Sequence, residues 1–228
     1  MKVFHGSDHA VNVPVYLGGK SDNDYGNGFY TTEYEDRARS WAALNGIPEK
    51  SIVNVYELDI NDLKILDLND HGILAWISEV VSNRGINQEA AGIVGERLVR
   101  HYKIDTKSFD IIKGYRADDS YTQVIEAFLL NQLNIYEVER LFYKGSLGNQ
   151  IFLKSEKAFR NIRWVESYEV GISEEDRQSD LYARREVNRF LSERIKAMLL
   201  DGYQVPGITA QYAVQKLLTY QKEEQVYV

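Results

Sequence analysis

The chain has 228 residues, of which 44% are hydrophobic and 27% are charged, and its formal net charge is −7 at pH 7. These values are typical of a folded globular protein and argue against a disordered or fibrous chain. The absence of cysteine excludes disulfides, thiolate nucleophiles and cysteine-ligated zinc, and the acidic balance disfavours nucleic acid as a substrate.

Short segments rich in β-branched and aromatic residues predict seven strands, at 2–5, 28–32, 52–60, 64–68, 109–114, 150–154 and 163–170. Apolar residues spaced three and four apart predict five helices among them, at 33–44, 73–83, 88–102, 121–133 and 135–143. Strands and helices do not alternate regularly, so the sequence predicts an α+β fold.

The chain becomes more charged after Val170. Residues 180–200 carry apolar side chains at helical spacing and stop before Gly202, a residue type that often follows a helix. Pro206 and Thr209 predict a turn and an N-cap for a second short helix through Leu218. We therefore predict a domain of residues 1–170 and a helical extension of residues 171–228.

The amino-terminal segment has a single lysine and no apolar stretch of signal-peptide length, and no apolar run approaches the length of a membrane span. We therefore expect a cytoplasmic protein with no membrane partner. The four histidines lack metal-ligand spacing, and no Gly-x-Ser-x-Gly motif is present, which disfavours metal hydrolases and serine hydrolases.

Two stretches suggest a ligand site. The first strand ends in His5-Gly6-Ser7, where a glycine permits close approach to a ligand and an imidazole can bind a hydroxyl. Residues 18–32 form a loop rich in Gly, Asn and Asp that leads into Phe29-Tyr30, and Tyr30 offers a flat face for a heteroaromatic ring. The alternatives are a capped surface histidine, a flexible hairpin loop and a core tyrosine. Neither nucleotide-binding glycine motif is matched.

The strand ending in His-Gly-Ser, the later Gly28-Phe29-Tyr30-Thr31-Thr32 and the helix with Ala and Trp resemble the His-Tyr-Glu branch of the ADP-ribosyltransferase superfamily. Segments 114–121, 148–153, 155–159 and 183–185 resemble a bacterial family of unknown function within it, often found in toxin–antitoxin loci. The resemblance implies a split mixed and antiparallel β-sheet core with flanking helices and a helical C-terminal appendage. It also implies NAD⁺ as co-substrate, with no metal.

The resemblance further assigns residues. His5 and Gly6 stand where ribose hydroxyls and the nicotinamide amide are bound, and Tyr30 stands where nicotinamide is stacked. The neighbouring residues Ser7, Gly28 and Thr31, with Thr32 as an alternative to Thr31, are expected to line the same site.

Gln150 occupies the position of the usual catalytic glutamate, and this departs from the family pattern. A neutral amide stabilises a cationic transition state less than a carboxylate does. A carboxylate from another part of the chain would supply the missing stabilisation, and Asp118, Asp119 and Glu126 are the candidates. Arg116 is expected to grip a phosphate with Asp118 beside it, and the alternative is that Asp118 or Asp119 merely caps a helix.

The expected function is transfer of ADP-ribose from NAD⁺ to a protein or nucleic-acid acceptor, with a toxin role and an antitoxin partner as the implied context. Three alternatives stay open: an NAD⁺ glycohydrolase, a catalytically silent module that binds NAD⁺ or ADP-ribose, and a pure interaction protein.

Overall fold

The computed structural model describes residues 1–45, 51–117, 119–144, 149–171 and 174–216, with the backbone alone at 44–45, 119–121, 143–144 and 174–184. Within these ranges lie seven strands: β1 (Lys2–Ser7), β2 (Phe29–Thr31), β3 (Ile52–Leu58), β4 (Ile65–Asp67), β5 (Ile111–Tyr115), β6 (Asn149–Leu153) and β7 (Ile162–Glu169). Each predicted strand is confirmed to within two residues at either end.

The strands form two sheets. β3 is the centre of a three-stranded sheet and pairs antiparallel with β1 and β7. The second sheet has the order β2-β6-β5-β4, in which β4 and β5 are parallel and the other pairs are antiparallel. Phe4 and Thr32 exchange backbone hydrogen bonds of 2.8 and 2.9 Å, so β1 of one sheet lies beside the end of β2 of the other.

The helices are α1 (Glu35–Asn45), α2 (Ile73–Arg84), α3 (Glu89–Tyr102), α4 (Asp119–Leu129), α5 (Ile135–Lys144), α6 (Glu156–Arg160) and α7 (Glu174–Leu200), with a 3₁₀ turn at Leu68–His71. Helical backbone also begins at residue 210 and is described to residue 216. The predicted α+β class is confirmed. None of the described helices has both the length and the apolar character needed to cross a lipid bilayer.

The helices α4 and α6 differ from the prediction. α4 ends at Leu129, not at Leu133, because Asn131 takes a left-handed conformation with φ of 60° and its N–H donates to the Phe128 carbonyl at 2.9 Å. α6 was not predicted from periodicity, since five residues are too few to show one. Its start is set by the Ser155 hydroxyl, which accepts a hydrogen bond from the Ala158 N–H at 3.1 Å.

The helix predicted at residues 180–200 is confirmed. α7 begins at Glu174, six residues before the predicted start, in a charged segment that carries little apolar periodicity. The predicted end of the last helix, Leu218, lies outside the described residues.

The chain divides into two compact units. The first contains Met1–His71, Asp105–Arg116 and Leu147–Tyr182, and the second contains Gly72–Ile104, Ala117–Ser146 and Ala183–Val228. Both sheets with α1 and α6 belong to the first unit, whereas α2 to α5 and most of α7 belong to the second. The division of the chain at Val170 into a domain and an extension stays a prediction.

The first unit has an apolar core to which both sheets contribute. Val3 and Tyr56 from the three-stranded sheet join Ile111 and Ile151 from the four-stranded sheet in one buried cluster. On the other side of β1 and β3, α1 packs against the strands through Ala38. Burial of this apolar surface holds the strand ends that carry the candidate site in place.

The second unit is helical. The ring of Trp76 in α2 meets that of Phe142 in α5 edge-on, with centroids 4.7 Å apart. α5 begins with a capping box: the Glu137 N–H donates to Asn134 Oδ1, and the Asn134 N–H donates to Glu137 Oε2, each at 3.0 Å. The Asn134 amide also donates to the Pro206 carbonyl at 2.9 Å, which attaches the C-terminal segment to this unit.

Candidate functional site

A pocket of about 480 Å³ opens in the first unit between the ends of β1 and β2 and the segment that joins them. Its lining includes His5, His9, Asn23, Gly28, Phe29 and Tyr30. The volume lies within the range of about 300–1,000 Å³ found for small-molecule sites. Two residues predicted from separate motifs, His5 and Tyr30, therefore line one cavity.

His5 is held in a defined orientation. Its Nδ1–H donates a hydrogen bond of 2.7 Å to the carbonyl oxygen of Tyr30, and its ring lies 4.5 Å from that of Phe29. Burial lowers the pKa of His5 to about 4, so the imidazole is neutral near pH 7. With the proton on Nδ1, Nε2 is the acceptor that this ring can offer to a hydroxyl group.

Tyr30 uses its hydroxyl to close the loop before β2. The hydroxyl donates to the Gly26 carbonyl at 2.8 Å and accepts from the Tyr25 N–H at 3.0 Å. The ring packs against Phe152 with centroids 4.7 Å apart and lines the pocket. The part of Tyr30 suited to a ligand is therefore its ring and not its hydroxyl.

The two predicted glycines serve close packing of the protein itself. A Cβ on Gly6 would lie 1.9 Å from the Ala38 carbonyl oxygen in α1, and a Cβ on Gly28 would lie 2.4 Å from the Leu153 carbonyl oxygen in β6. No larger residue fits at either position without moving backbone. Gly28 also lines the pocket, so it has both a packing role and a place at the site.

Ser7 is bound within a buried polar cluster centred on Asn54. The Ser7 hydroxyl donates to the His9 carbonyl at 2.5 Å and accepts from the Asn54 amide at 2.9 Å. Asn54 is fully buried, and its Oδ1 accepts from the Val11 N–H and the Ser167 hydroxyl, each at 2.7 Å. This asparagine, which the sequence analysis missed, fixes the start of the segment that forms the pocket wall.

Thr31 lies inside the sheet. It is fully buried, and its hydroxyl donates to the Ile151 carbonyl at 3.0 Å. Thr32 likewise donates to the Asn149 carbonyl at 3.1 Å. Both threonines tie β2 to β6, and neither is among the residues that line the pocket.

Gln150 is buried beside a carboxylate. Its Nε2 donates to Asp24 Oδ2 at 2.9 Å and to the Tyr115 carbonyl at 3.2 Å, and only 2% of the residue is exposed. Tyr30 pairs with Phe152 across β2 and β6, and Gln150 lies two residues along β6 from Phe152. Side chains two apart in a strand share a face, so Gln150 and Tyr30 lie on the same face of the sheet.

Asp24 is the second residue that the sequence analysis missed. It is 5% exposed and lies in the loop before β2, 126 residues from its Gln150 partner. Asp24 directly precedes Tyr25 and Gly26 in the sequence, and this local pattern does not predict that its side chain is buried.

The remaining candidates lie elsewhere or are not described. The Arg116 guanidinium stacks 5.0 Å over the ring of Trp41 in the first unit. Asp118 lies outside the described residues, and of Asp119 the backbone alone is described, as the first residue of α4. Glu126 lies in α4, in the second unit. Among the described residues, no cluster of three acidic or histidine side chains is placed to hold a metal ion.

Residues 1–164 match the family model described as "Protein of unknown function (DUF3990)". The match spans every strand that carries the pocket, as well as Asp24 and Gln150. Neither the curated proteins nor the solved structures contain a match to the chain.

Proposed function

The chain belongs to the DUF3990 family, and we propose that it is an NAD⁺-dependent ADP-ribosyltransferase whose nicotinamide site is the pocket between β1 and β2. The observation that carries the proposal is the 2.7 Å hydrogen bond between His5 Nδ1 and the Tyr30 carbonyl oxygen. It holds a neutral imidazole against the backbone of Tyr30, whose aromatic ring lines the same cavity of suitable volume. The choice of NAD⁺ as the ligand rests on the resemblance to the His-Tyr-Glu branch.

We assign a role to each of three side chains, of which His5 and Tyr30 line the pocket. His5 Nε2 accepts a hydrogen bond from a ribose hydroxyl, because Nδ1 holds the ring proton. The Tyr30 ring, held by Phe152, stacks on nicotinamide. The amide oxygen of Gln150, on the same face of the sheet, accepts from the 2′-hydroxyl of that ribose. We propose the split-sheet ADP-ribosyltransferase core as the fold that places these groups.

The reaction follows from these contacts. The bond between the nicotinamide nitrogen and ribose C1′ breaks, and its electron pair leaves with nicotinamide. The resulting oxocarbenium-like centre is stabilised by the oxygen of Gln150 acting through the 2′-hydroxyl. An acceptor nucleophile then bonds to C1′ and loses its proton to solvent. A protein or nucleic-acid acceptor makes the enzyme a transferase, and water makes it a glycohydrolase.

The cellular context is also a proposal. The resemblance to families found in toxin–antitoxin loci supports a cytoplasmic toxin with an antitoxin partner. The second candidate function is a catalytically silent NAD⁺-binding module, and the observation that favours it is a neutral Gln150 at the position of the usual glutamate.

The test is nicotinamide release from NAD⁺ by the full chain, with and without cell lysate. We expect His5→Ala and Tyr30→Ala to lower the release rate about 10- to 100-fold, because each removes one or two direct contacts worth about 1–3 kcal/mol. His71→Ala and Tyr136→Ala, which change exposed residues, serve as matched controls and should keep the wild-type rate.

The products separate the alternatives. Labelled macromolecules in the lysate identify a transferase, whereas free ADP-ribose identifies a glycohydrolase. NAD⁺-induced thermal stabilisation without release would establish the silent module. The proposal would be overturned if NAD⁺ neither stabilised the wild-type protein nor released nicotinamide in its presence.

A further inference from the structure

The pair formed by Asp24 and Gln150 is unusual because it buries a carboxylate beside a carboxamide. Asp24 is 5% exposed and Gln150 is 2% exposed, and the distance between Oδ2 and Nε2 is 2.9 Å. Removing a charge from water is costly, so acidic side chains that are buried have hydrogen-bond or ionic partners. The hydrogen bond to Gln150 is one such contact of Asp24, and it places the carboxylate at the nitrogen end of the amide.

The contacts of Gln150 determine which way its carboxamide faces. The Asp24 carboxylate and the Tyr115 carbonyl are both acceptors, so the nitrogen of the amide must face them. Its two hydrogens are thereby used, one on each acceptor. The amide oxygen therefore faces away from Asp24, and in the proposed function it is the atom that contacts the ribose.

A carboxylate at the nitrogen end also changes the charge at the oxygen end. A hydrogen bond from an amide N–H to a charged acceptor is stronger than a neutral one, and it polarises the donor group. Electron density in the Gln150 amide shifts toward its oxygen. A neutral side chain thus acquires part of the negative character that a glutamate would have in the same place.

Asp24 is also joined to the rest of the site. The next residue, Tyr25, donates its N–H to the Tyr30 hydroxyl at 3.0 Å, and its own hydroxyl donates to the Tyr115 carbonyl at 2.7 Å. The Tyr115 carbonyl therefore accepts from both Tyr25 and Gln150. This network holds Asp24 in position between the nicotinamide-stacking ring and the strand that carries Gln150.

We propose that Asp24 is a positioning residue, whose carboxylate orients and polarises the Gln150 carboxamide so that the pair replaces a catalytic glutamate. The inference rests on the proposed function. In this proposal the carboxylate that position 150 lacks comes from Asp24, in the loop before β2. It acts through Gln150 and does not contact the substrate.

The test is a charge-exchange series on the full chain, with nicotinamide release, NAD⁺ affinity and thermal unfolding measured for each variant. Asp24→Asn keeps the size and the hydrogen-bonding reach but removes the charge. We expect kcat to fall about tenfold, with NAD⁺ affinity changed less than about threefold. Asp22→Asn, an exposed aspartate of the same loop, is the matched control and should keep wild-type values.

The double variant provides the decisive measurement. Gln150→Glu alone places two carboxylates within hydrogen-bonding distance and should lower both stability and kcat. Asp24→Asn with Gln150→Glu lets the new amide donate to the new carboxylate, so kcat should recover to the wild-type value or above it. A merely structural pair would restore stability without restoring kcat.

The outcomes separate the two proposals. If the wild-type protein neither binds NAD⁺ nor releases nicotinamide, the proposed function is overturned, and this inference is overturned with it. An active wild-type protein whose Asp24→Asn variant keeps its kcat, or whose double variant stays as slow as Gln150→Glu, would overturn the role of Asp24 alone.

Discussion

The half-buried imidazole of His5 makes the stability of the protein depend on pH in a predictable direction. Burial lowers the pKa of His5 to about 4 in the folded state, against about 6.5 in the unfolded chain. Between these values the unfolded state binds more protons, so stability falls as the pH is lowered from about 6.5 to about 4. The cost at pH 4 amounts to roughly 3 kcal/mol at most.

His5→Asn isolates this effect, because an amide at position 5 keeps a donor for the Tyr30 carbonyl but does not titrate. We expect urea unfolding to show a larger loss of stability between pH 7 and pH 4.5 in wild type than in His5→Asn. Parallel losses in the two proteins would contradict a His5 that is neutral because its pKa is lowered.

Packing of α1 against β1 depends on the absence of a side chain at position 6. A Cβ there would lie 1.9 Å from the Ala38 carbonyl oxygen and 2.6 Å from the Ala42 nitrogen. Gly6→Ala must therefore move the helix, and we expect the free energy of unfolding to fall by about 2 kcal/mol or more.

Gly92→Ala in α3 is the matched control. A Cβ there meets nothing within 4 Å, so the same substitution should stabilise the protein by about 0.5–1 kcal/mol. Thermal unfolding of both variants measures the difference. Equal effects would show that α1 does not press on β1 as described.

Elements were easier to predict than the contacts of the site. The β-branched and aromatic residues of each strand predict that strand locally. His5 and Tyr30 were likewise predicted to share a site because each lies in a local motif. The partnership of Asp24 with Gln150 joins residues 126 positions apart, and no local pattern encodes it. Asn54 was missed for the same reason, because a polar residue in a strand reads as exposed until its neighbours across the sheet are known.

At the scale of the whole molecule, the C-terminal segment is part of the second unit. Arg194 in α7 forms a two-pronged ion pair with Glu137 at the start of α5, and it stacks 4.7 Å from the ring of Tyr203. Its side chain is 11% exposed. Arg194→Ala removes the ion pair and the stacking together. We therefore expect the free energy of unfolding, measured by chemical denaturation, to fall by about 2 kcal/mol.

Arg189→Ala provides the comparison on the same helix. Its pair with Glu186 is largely exposed, at 65% and 40% for the two side chains, and should contribute less than about 0.5 kcal/mol. Similar losses for both variants would mean that α7 is not anchored through Arg194.

The order in which the strands occur along the chain has a consequence for synthesis on the ribosome. β2 carries Tyr30 near the start of the chain, yet its ladder partner β6 ends at Leu153, and β7, which completes the other sheet, ends at Glu169. Forming such distant pairs requires the closure of long loops. The nascent chain must therefore extend beyond Leu153 before β2 can pair with β6 and hold Tyr30 in place, so the pocket cannot assemble until β6 has been synthesised.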